Sequence, residues 1–302
     1  MFGKGISSIV QCGREISEKE LELIRETVEL FPKLSQTDLA ETICEHLGWF
    51  TASGNYKREA CLKLLYKLEA KGLFVLPKKR TYTEPRRSSI RVTVRTDPSQ
   101  PIVGRLGEIG PISPEAAVRK QTIRLCREYL FRYHYLGYKP PFGCYLYYLI
   151  ECTGGRVGCA LFSGAAKALG VRDRWIGWRD EQRLLNLGLV INNSRFLIFP
   201  WVKVRNLSSH VLGRIAGRIG DDWKDCWGYN PVLMETFVDP RYYKGSCYKA
   251  AGWEYVGMTT GEGLVRKGKR YTTTPKKIFV KPLVENFREL LCLEGFSGRR
   301  EE

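Results

Sequence analysis

Apolar residues recur at helical spacing in three segments before residue 72. Over residues 17–31, Leu21, Ile24, Val28 and Phe31 fall on one face, and Ser17 with Glu20 has the spacing of a capping box. A second helix is predicted from Ser35 through Leu47, with Leu39, Ile43 and Leu47 inward. A third runs from Asn55 to Ala70, with Ala60, Leu64, Leu65 and Leu68 inward. Gly72 stops it, and LFVLP over residues 73–77 predicts a short strand. Three helices followed by a strand is the order of a winged helix-turn-helix, whose third helix enters the DNA major groove. That makes Lys57, Arg58 and Lys63 candidate DNA contacts. A small bundle that binds another protein would give the same pattern.

Regular periodicity breaks at residue 78. Residues 78–104 carry Lys78, Lys79, Arg80, Arg86, Arg87, Arg91 and Arg95 against only Glu84 and Asp97, which predicts a basic linker with IRVTVR as a strand within it. A further domain is expected from Ser113, a cap with Pro114 at the first helical position. Its helix reaches Tyr135, with Ala117, Ile123, Leu130 and Phe131 inward. YLYYLIEC and RVGCALFSG around a Gly-Gly turn predict a hairpin. Segments 184–191 and 195–202 predict a second one, turning at Asn192-Asn193. A helix to about Gly220, a strand over 231–239, a short helix near 246–251 and a strand over 253–258 follow. Residues 264–281 add Arg266, Lys267, Lys269 and Arg270 with no acid. The expected organisation is therefore 1–77, a linker over 78–112, and 113–302.

The strand over 231–239 is apolar on both faces, so it belongs to a sheet covered on both sides. Glu235 interrupts it between Leu233 and Phe237. A carboxylate there needs a cation, a metal or hydrogen-bond donors. Asp239 stands at the carboxyl end, where open α/β sheets place their ligands. In one reading Glu235 and Asp239 hold Mg²⁺ or Mn²⁺ for attack on a phosphodiester, with Asp222 reaching in. In the other, Glu235 pairs with an arginine and Asp222 ends a helix. Tyr248, between Gly245 and Lys249, is a candidate nucleophile toward a DNA phosphate or a packing tyrosine. His134 and His210 are acid–base candidates against structural roles, whereas His46 reads as a surface or packing residue. Asn206, Ser208 and Ser209 sit at a predicted helix start, where a phosphate can bind. Trp175, Trp178, Trp201 and Trp253 suit the core or the stacking of unpaired bases.

Charge sharpens this picture. The 302 residues carry 49 Lys and Arg against 32 Asp and Glu, a net +17, which favours nucleic acid as a partner. No run of about 18 apolar residues exists, so no membrane helix is expected. The ten cysteines form no C-x-x-C, which argues for reduced thiols in a cytoplasm and against a zinc knuckle.

The order helix, hairpin, hairpin, helix, strand, helix, strand resembles a GCN5-related acetyltransferase, and CYKAAGWEYVG (247–257) resembles that fold's terminal segment. The loop corresponding to its coenzyme A cradle, Val204–His210, has no glycine. At finer grain the chain is similar to the DUF4338 (DruA) family of anti-phage proteins and transposase-like relatives. The matching text includes His134-Tyr-Leu-Gly137, Arg172-Asp173, Trp175-Ile-Gly-Trp178, Asn193, Arg195-Phe-Leu-Ile198, Asp222-Trp223, Leu233–Asp239 and Gly245–Ala251. This resemblance implies an α/β protein with a winged-helix-like first domain and an acetyltransferase-like mixed sheet. It implies DNA cleavage or transfer, beside other defence or mobile-element proteins; a homo-oligomer is compatible with it. A DNA-recognition subunit without catalysis and an acyltransferase are the alternatives.

Overall fold

A computed structural model of the chain describes residues 8–32, 34–52, 54–77, 90–141, 143–261 and 274–294. The chain forms two units, one of residues 1–88, 180–185 and 294–302, the other of residues 89–179 and 186–293.

The first unit opens with a hairpin absent from the sequence reading, β1 (Ser8–Gln11) and β2 (Arg14–Ser17). Cys12 and Gly13 turn it with φ of 53° and 79°, the left-handed pair that a two-residue hairpin turn needs. Cysteine is an uncommon choice there, and only Gly13 flanked by Ile9 and Ile16 signalled the turn. Helices α1 (Glu18–Leu30), α2 (Gln36–His46) and α3 (Arg58–Ala70) follow. The Ser17–Glu20 capping box is present. Leu21, Ile24, Val28, Leu39, Ile43, Leu64, Leu65 and Leu68 join Ile16, Trp49 and Phe74 in one core. The strand expected over residues 73–77 does not form. Phe74 and Leu76 are buried and Val75 is exposed, but the Leu76 N–H donates to the Glu69 carboxylate instead of to a strand.

In the second unit, Arg91–Arg95 makes no strand; a 3₁₀ turn at Val94–Thr96 is anchored by the Thr96 hydroxyl on Glu128 (2.6 Å). Strand β3 (Ile102–Gly104) follows. Ser113 and Pro114 begin a strand, β4 (Ser113–Ala116), rather than a helix. It lies at the sheet edge, paired only with β5 (Tyr145–Cys152), where the absent proline N–H costs no ladder bond. Helix α4 (Lys120–Tyr133) starts later and turns Cys126, Tyr129 and Leu130 inward, leaving Phe131 exposed. The predicted first hairpin is β5 with β6 (Gly155–Gly164). Then come α5 (Gly170–Ile176), α6 (Asp180–Asn186), β7 (Val190–Ile198), β8 (Val202–Val204), α7 (Leu207–Ala216) and α8 (Ile219–Trp227). The chain continues through β9 (Leu233–Val238), α9 (Ser246–Ala250), β10 (Glu254–Met258), β11 (Lys277–Pro282) and α10 (Phe287–Leu291). β3 and β8 form a small parallel pair.

Seven strands make one mixed sheet in the order β10-β11-β9-β7-β6-β5-β4, parallel only between β7 and β9. The fold is thus the mixed α/β class expected. Asn192-Asn193 is not a turn. β7 runs straight through it, with a bulge opposite Leu161 and Phe162. The Asn193 amide donates to the Leu161 and Arg195 carbonyls, so its side chain completes the interrupted ladder. The parallel ladder spans only Val190–Asn192 against Leu233–Glu235. Past it, the two strands do not pair with each other among the described residues.

Candidate functional site

β9 lies inside the sheet between β11 and β7, and its two faces meet different surroundings. On one face Glu235 is wholly buried. Its Oε2 accepts from Arg172 Nη1 at 2.7 Å and its Oε1 from the Ala166 N–H at 2.8 Å. Arg172, also inaccessible, reaches Asp173 through Nε (2.9 Å) and Nη2 (2.7 Å) and lies under the Trp178 ring. Burial pushes the Glu235 carboxyl up, against the pull of Arg172 and Ala166. Burial alone would lower the Arg172 pKa, but Glu235 and Asp173 more than offset it and hold the guanidinium charged.

The same contacts bear on the metal reading. Both oxygens of Glu235 are committed inside the fold. Asp239, just beyond β9, gives Oδ1 to the N–H (3.0 Å) and Nε (3.1 Å) of Arg241 and Oδ2 to its Nη2 (2.8 Å). That side-chain hydrogen bonding holds its carboxyl below the usual range. Asp222, on α8, accepts from Tyr148 (2.6 Å) and from Arg218 Nε (2.7 Å), so it too is a structural acid. Among the described residues no group of three or more His, Cys, Asp or Glu could hold a metal ion. The donor set does not fit Mg²⁺ or Mn²⁺.

The other face opens. Where β7 and β9 leave their ladder, a cleft of about 280 Å³ lies between them. Asn193, Arg195, Thr236 and Val238 line it from the strands, His134 and Tyr135 from the end of α4, and Ser208 from the start of α7. Tyr248 closes it from α9, donating its hydroxyl to Asn193 Oδ1 at 2.7 Å. Thr236 anchors the same asparagine by donating to its carbonyl (2.9 Å). Gly245 allows α9 to sit this close. Its φ is +78°, and a Cβ there would lie 2.6 Å from the Phe279 ring. The Tyr248 ring also stacks on Phe279. Burial drives its phenol upward, so it is a protonated donor.

Arg195 is the half-buried cation of the cleft, which Lys244 also lines. Its Nε donates to the Gly137 carbonyl (3.0 Å) and its Nη1 to the Ser194 carbonyl (2.6 Å). No carboxylate pairs with it among the described residues. Burial lowers its pKa. The neighbouring His134 is held down to about 4, first by burial and then by Arg195. A neutral ring results, with Nδ1 accepting the Leu136 N–H (3.2 Å). Ser208 brings the start of α7 to the cleft. Asn206 precedes it in the left-handed region (φ 62°) with no capping bond from its side chain, while the Ser209 hydroxyl donates to the Asn206 carbonyl.

A model of the family described as Druantia protein DruA matches residues 67–271. The chain belongs to that family. The DruA match covers the cleft, the Arg172–Glu235 pair and all of β7 and β9. No curated protein matches the chain. Among solved structures it is similar to the aminoglycoside acetyltransferase AAC(6')-Ib in complex with coenzyme A (13% identity, 59% of this chain and 98% of that one, TM-score 0.35). It is also similar to a mosquito arylalkylamine N-acetyltransferase like 5b (13%, 57% and 100%, TM-score 0.35). A GNAT-family acetyltransferase from Desulfovibrio desulfuricans gives 11%, 58% and 100%, with TM-score 0.34.

The remaining candidates of this DruA-family chain are scattered. His210 is exposed on α7 and lines a separate groove with Arg214 and Arg218, and Lys249 is exposed on α9. In the first unit Lys63 is exposed, Arg58 pairs with Glu41 (3.1 Å), and Lys57 is half-buried, with its pKa lowered by desolvation. Lys78, Lys79, Arg80, Arg86, Arg87, Arg266, Lys267, Lys269 and Arg270 lie outside the described residues. The four tryptophans do not present free faces. Trp178 covers Arg172, Trp175 stacks on Phe287, Trp253 meets Tyr248 edge-on and Trp201 meets Tyr133. Sequence reasoning nominated Tyr248, His134 and Ser208 but not Arg195 as a site residue. The signal for Arg195 was an arginine set directly before the apolar run Phe196–Phe199.

Proposed function

We propose that this protein is a DNA-binding member of an anti-phage defence system, and that the β7–β9 cleft receives a phosphate of the bound DNA. Arg195 carries the reading. It is a half-buried cation whose hydrogen-bond acceptors are carbonyls, in a cleft also lined by Ser208 in the first turn of α7, a helix whose first N–H groups have no intrahelical acceptor. An anion supplies what that arrangement lacks, and a net charge of +17 draws polyanions to the chain. His134 is neutral and Tyr248 protonated, so neither repels a phosphate.

Metal-assisted cleavage finds no support in the paired Glu235 and Asp239. Attack by Tyr248 is disfavoured as well, because its hydroxyl is engaged and burial retains its proton. Binding of labelled DNA measured across a salt series tests the proposal. Salt-sensitive affinity that falls in Arg195→Gln is the expected result. Nicking that needs Mn²⁺ and disappears in Glu235→Gln would overturn the non-catalytic reading.

A second reading rests on Tyr248 itself. Its phenol keeps its proton beside a cleft between parting parallel strands, and only on release from Asn193 Oδ1 can it donate that proton to a leaving group in acyl transfer. Stabilisation of the protein by acetyl-CoA, and its loss in Arg195→Gln, would favour that reading.

A further inference from the structure

The mouth of the cleft is aromatic, and nothing in the mechanism above uses those rings. Tyr135, Tyr242 and Tyr243 gather there with exposures of 38%, 60% and 54%. The Tyr135 ring centre lies 5.0 Å from that of Tyr242 and 5.3 Å from that of Tyr243. Tyrosine rings usually cover part of a core, and three exposed neighbours form a patch that marks an interaction site.

The patch is built rather than incidental. The Tyr242 and Tyr243 N–H groups both donate to the Asp239 carbonyl, which folds the loop after β9 into a turn. Arg241 forks onto the Asp239 carboxylate and lies 5.4 Å from the Tyr242 ring centre, so the acid beneath the patch is already neutralised. Tyr135 and Tyr243 also line the cleft that holds Arg195, and Lys244 comes next in the chain. A ring platform thus adjoins a recessed cation, with further positive charge at the rim.

We propose that Tyr135, Tyr242 and Tyr243, the latter two inclined to the first by 46° and 63°, form a cup in which an unpaired base of single-stranded DNA stacks on one ring and meets the others edge-on, with its adjoining phosphate on Arg195. This deepens the proposed function and rests on it. Base faces are buried in a duplex and become available to aromatic side chains only when the strand is unpaired. A recess of about 280 Å³ has room for one phosphate group beside Arg195. Alternating ring and cation is the chemistry of sequence-tolerant single-strand binding.

The test uses the full-length protein with a labelled oligothymidylate and a blunt duplex of equal phosphate number. Tyr242→Ala with Tyr243→Ala should weaken single-strand binding roughly tenfold or more and leave duplex binding unchanged. Tyr242→Phe with Tyr243→Phe should retain single-strand binding, since the ring and not the hydroxyl stacks. Both positions are exposed, so an unchanged melting temperature accompanies either result. Undiminished single-strand affinity in the double alanine variant, or an equal loss for duplex, would overturn the platform. A wild-type protein that binds duplex but not single strands would overturn it and leave the proposed function standing. Binding neither would remove both. Tighter binding of oligouridylate than of oligothymidylate would overturn the assignment to DNA.

Discussion

Glu235 and Thr236 are adjacent on one strand, yet their surroundings have nothing in common. Glu235 faces a closed cluster in which every charge has an opposite and every carboxylate oxygen a donor. Thr236 faces the cleft, where a cation has only carbonyls for company. The lesson concerns how buried charge is read. A carboxylate in an apolar strand announces a problem that the fold must solve, and here α5 solves it with Arg172. The open valence lies on the opposite face, in the residue that the strand pattern made least conspicuous.

Breaking the closed face should have the largest effect. Arg172→Ala leaves Glu235 buried and unpaired, so unfolding in denaturant should show a loss of about 3–5 kcal/mol. Replacing both partners, with Arg172→Met and Glu235→Leu, should recover most of it. Failure to recover would mean that the pair does more than hold the fold.

On the open face, Arg195→Gln should weaken DNA binding about tenfold to a hundredfold, from about 1.5–3 kcal/mol for a hydrogen bond to a charged group. Tyr248→Phe strips Asn193 Oδ1 of its donor and should cost about 1–3 kcal/mol, read from melting curves. No loss would show that the asparagine needs no such anchor.

A smaller effect concerns pH. His134 titrates at about 4 in the fold and near 6.5 when unfolded. Between those values the unfolded chain binds a proton that the native chain does not, so stability should fall as pH drops from about 6.5 toward about 4. His134→Gln should flatten that slope; an unaltered slope would assign it to other groups. Smallest of all, Mg²⁺ or Mn²⁺ should leave the melting temperature unchanged. A clear rise would reopen the metal question.

The sequence made local regularity legible and long-range pairing much less so. α1 was legible because its apolar spacing and its capping box agree, and β5–β6 because two apolar runs flank a Gly-Gly turn. Ser113-Pro114 carries a helix-start signal that pairing with β5 overrides. Asn192-Asn193 carries a turn signal, but the second asparagine serves a bulge whose need arises from Leu161, far away in the chain. LFVLP alternates as a strand does, yet Leu76 finds its acceptor in Glu69. At the site, Tyr248 and His134 were legible as chemistry. Arg195 and the Tyr135–Tyr242–Tyr243 patch were not, because their meaning depends on which strands part and which loop folds beneath them.

Residues 180–185 return the chain to the first unit after it has laid down three of the other unit's seven sheet strands, and Leu184 stands against the Gly13 turn. Connectivity of this kind forbids a clean cut. A fragment ending at residue 88 would lack a segment its own hairpin packs on, so severing or grafting requires carrying discontinuous pieces, three for the first unit and two for the second. Proteolysis that nicks the chain between the units should therefore leave the fragments associated until denaturant is added.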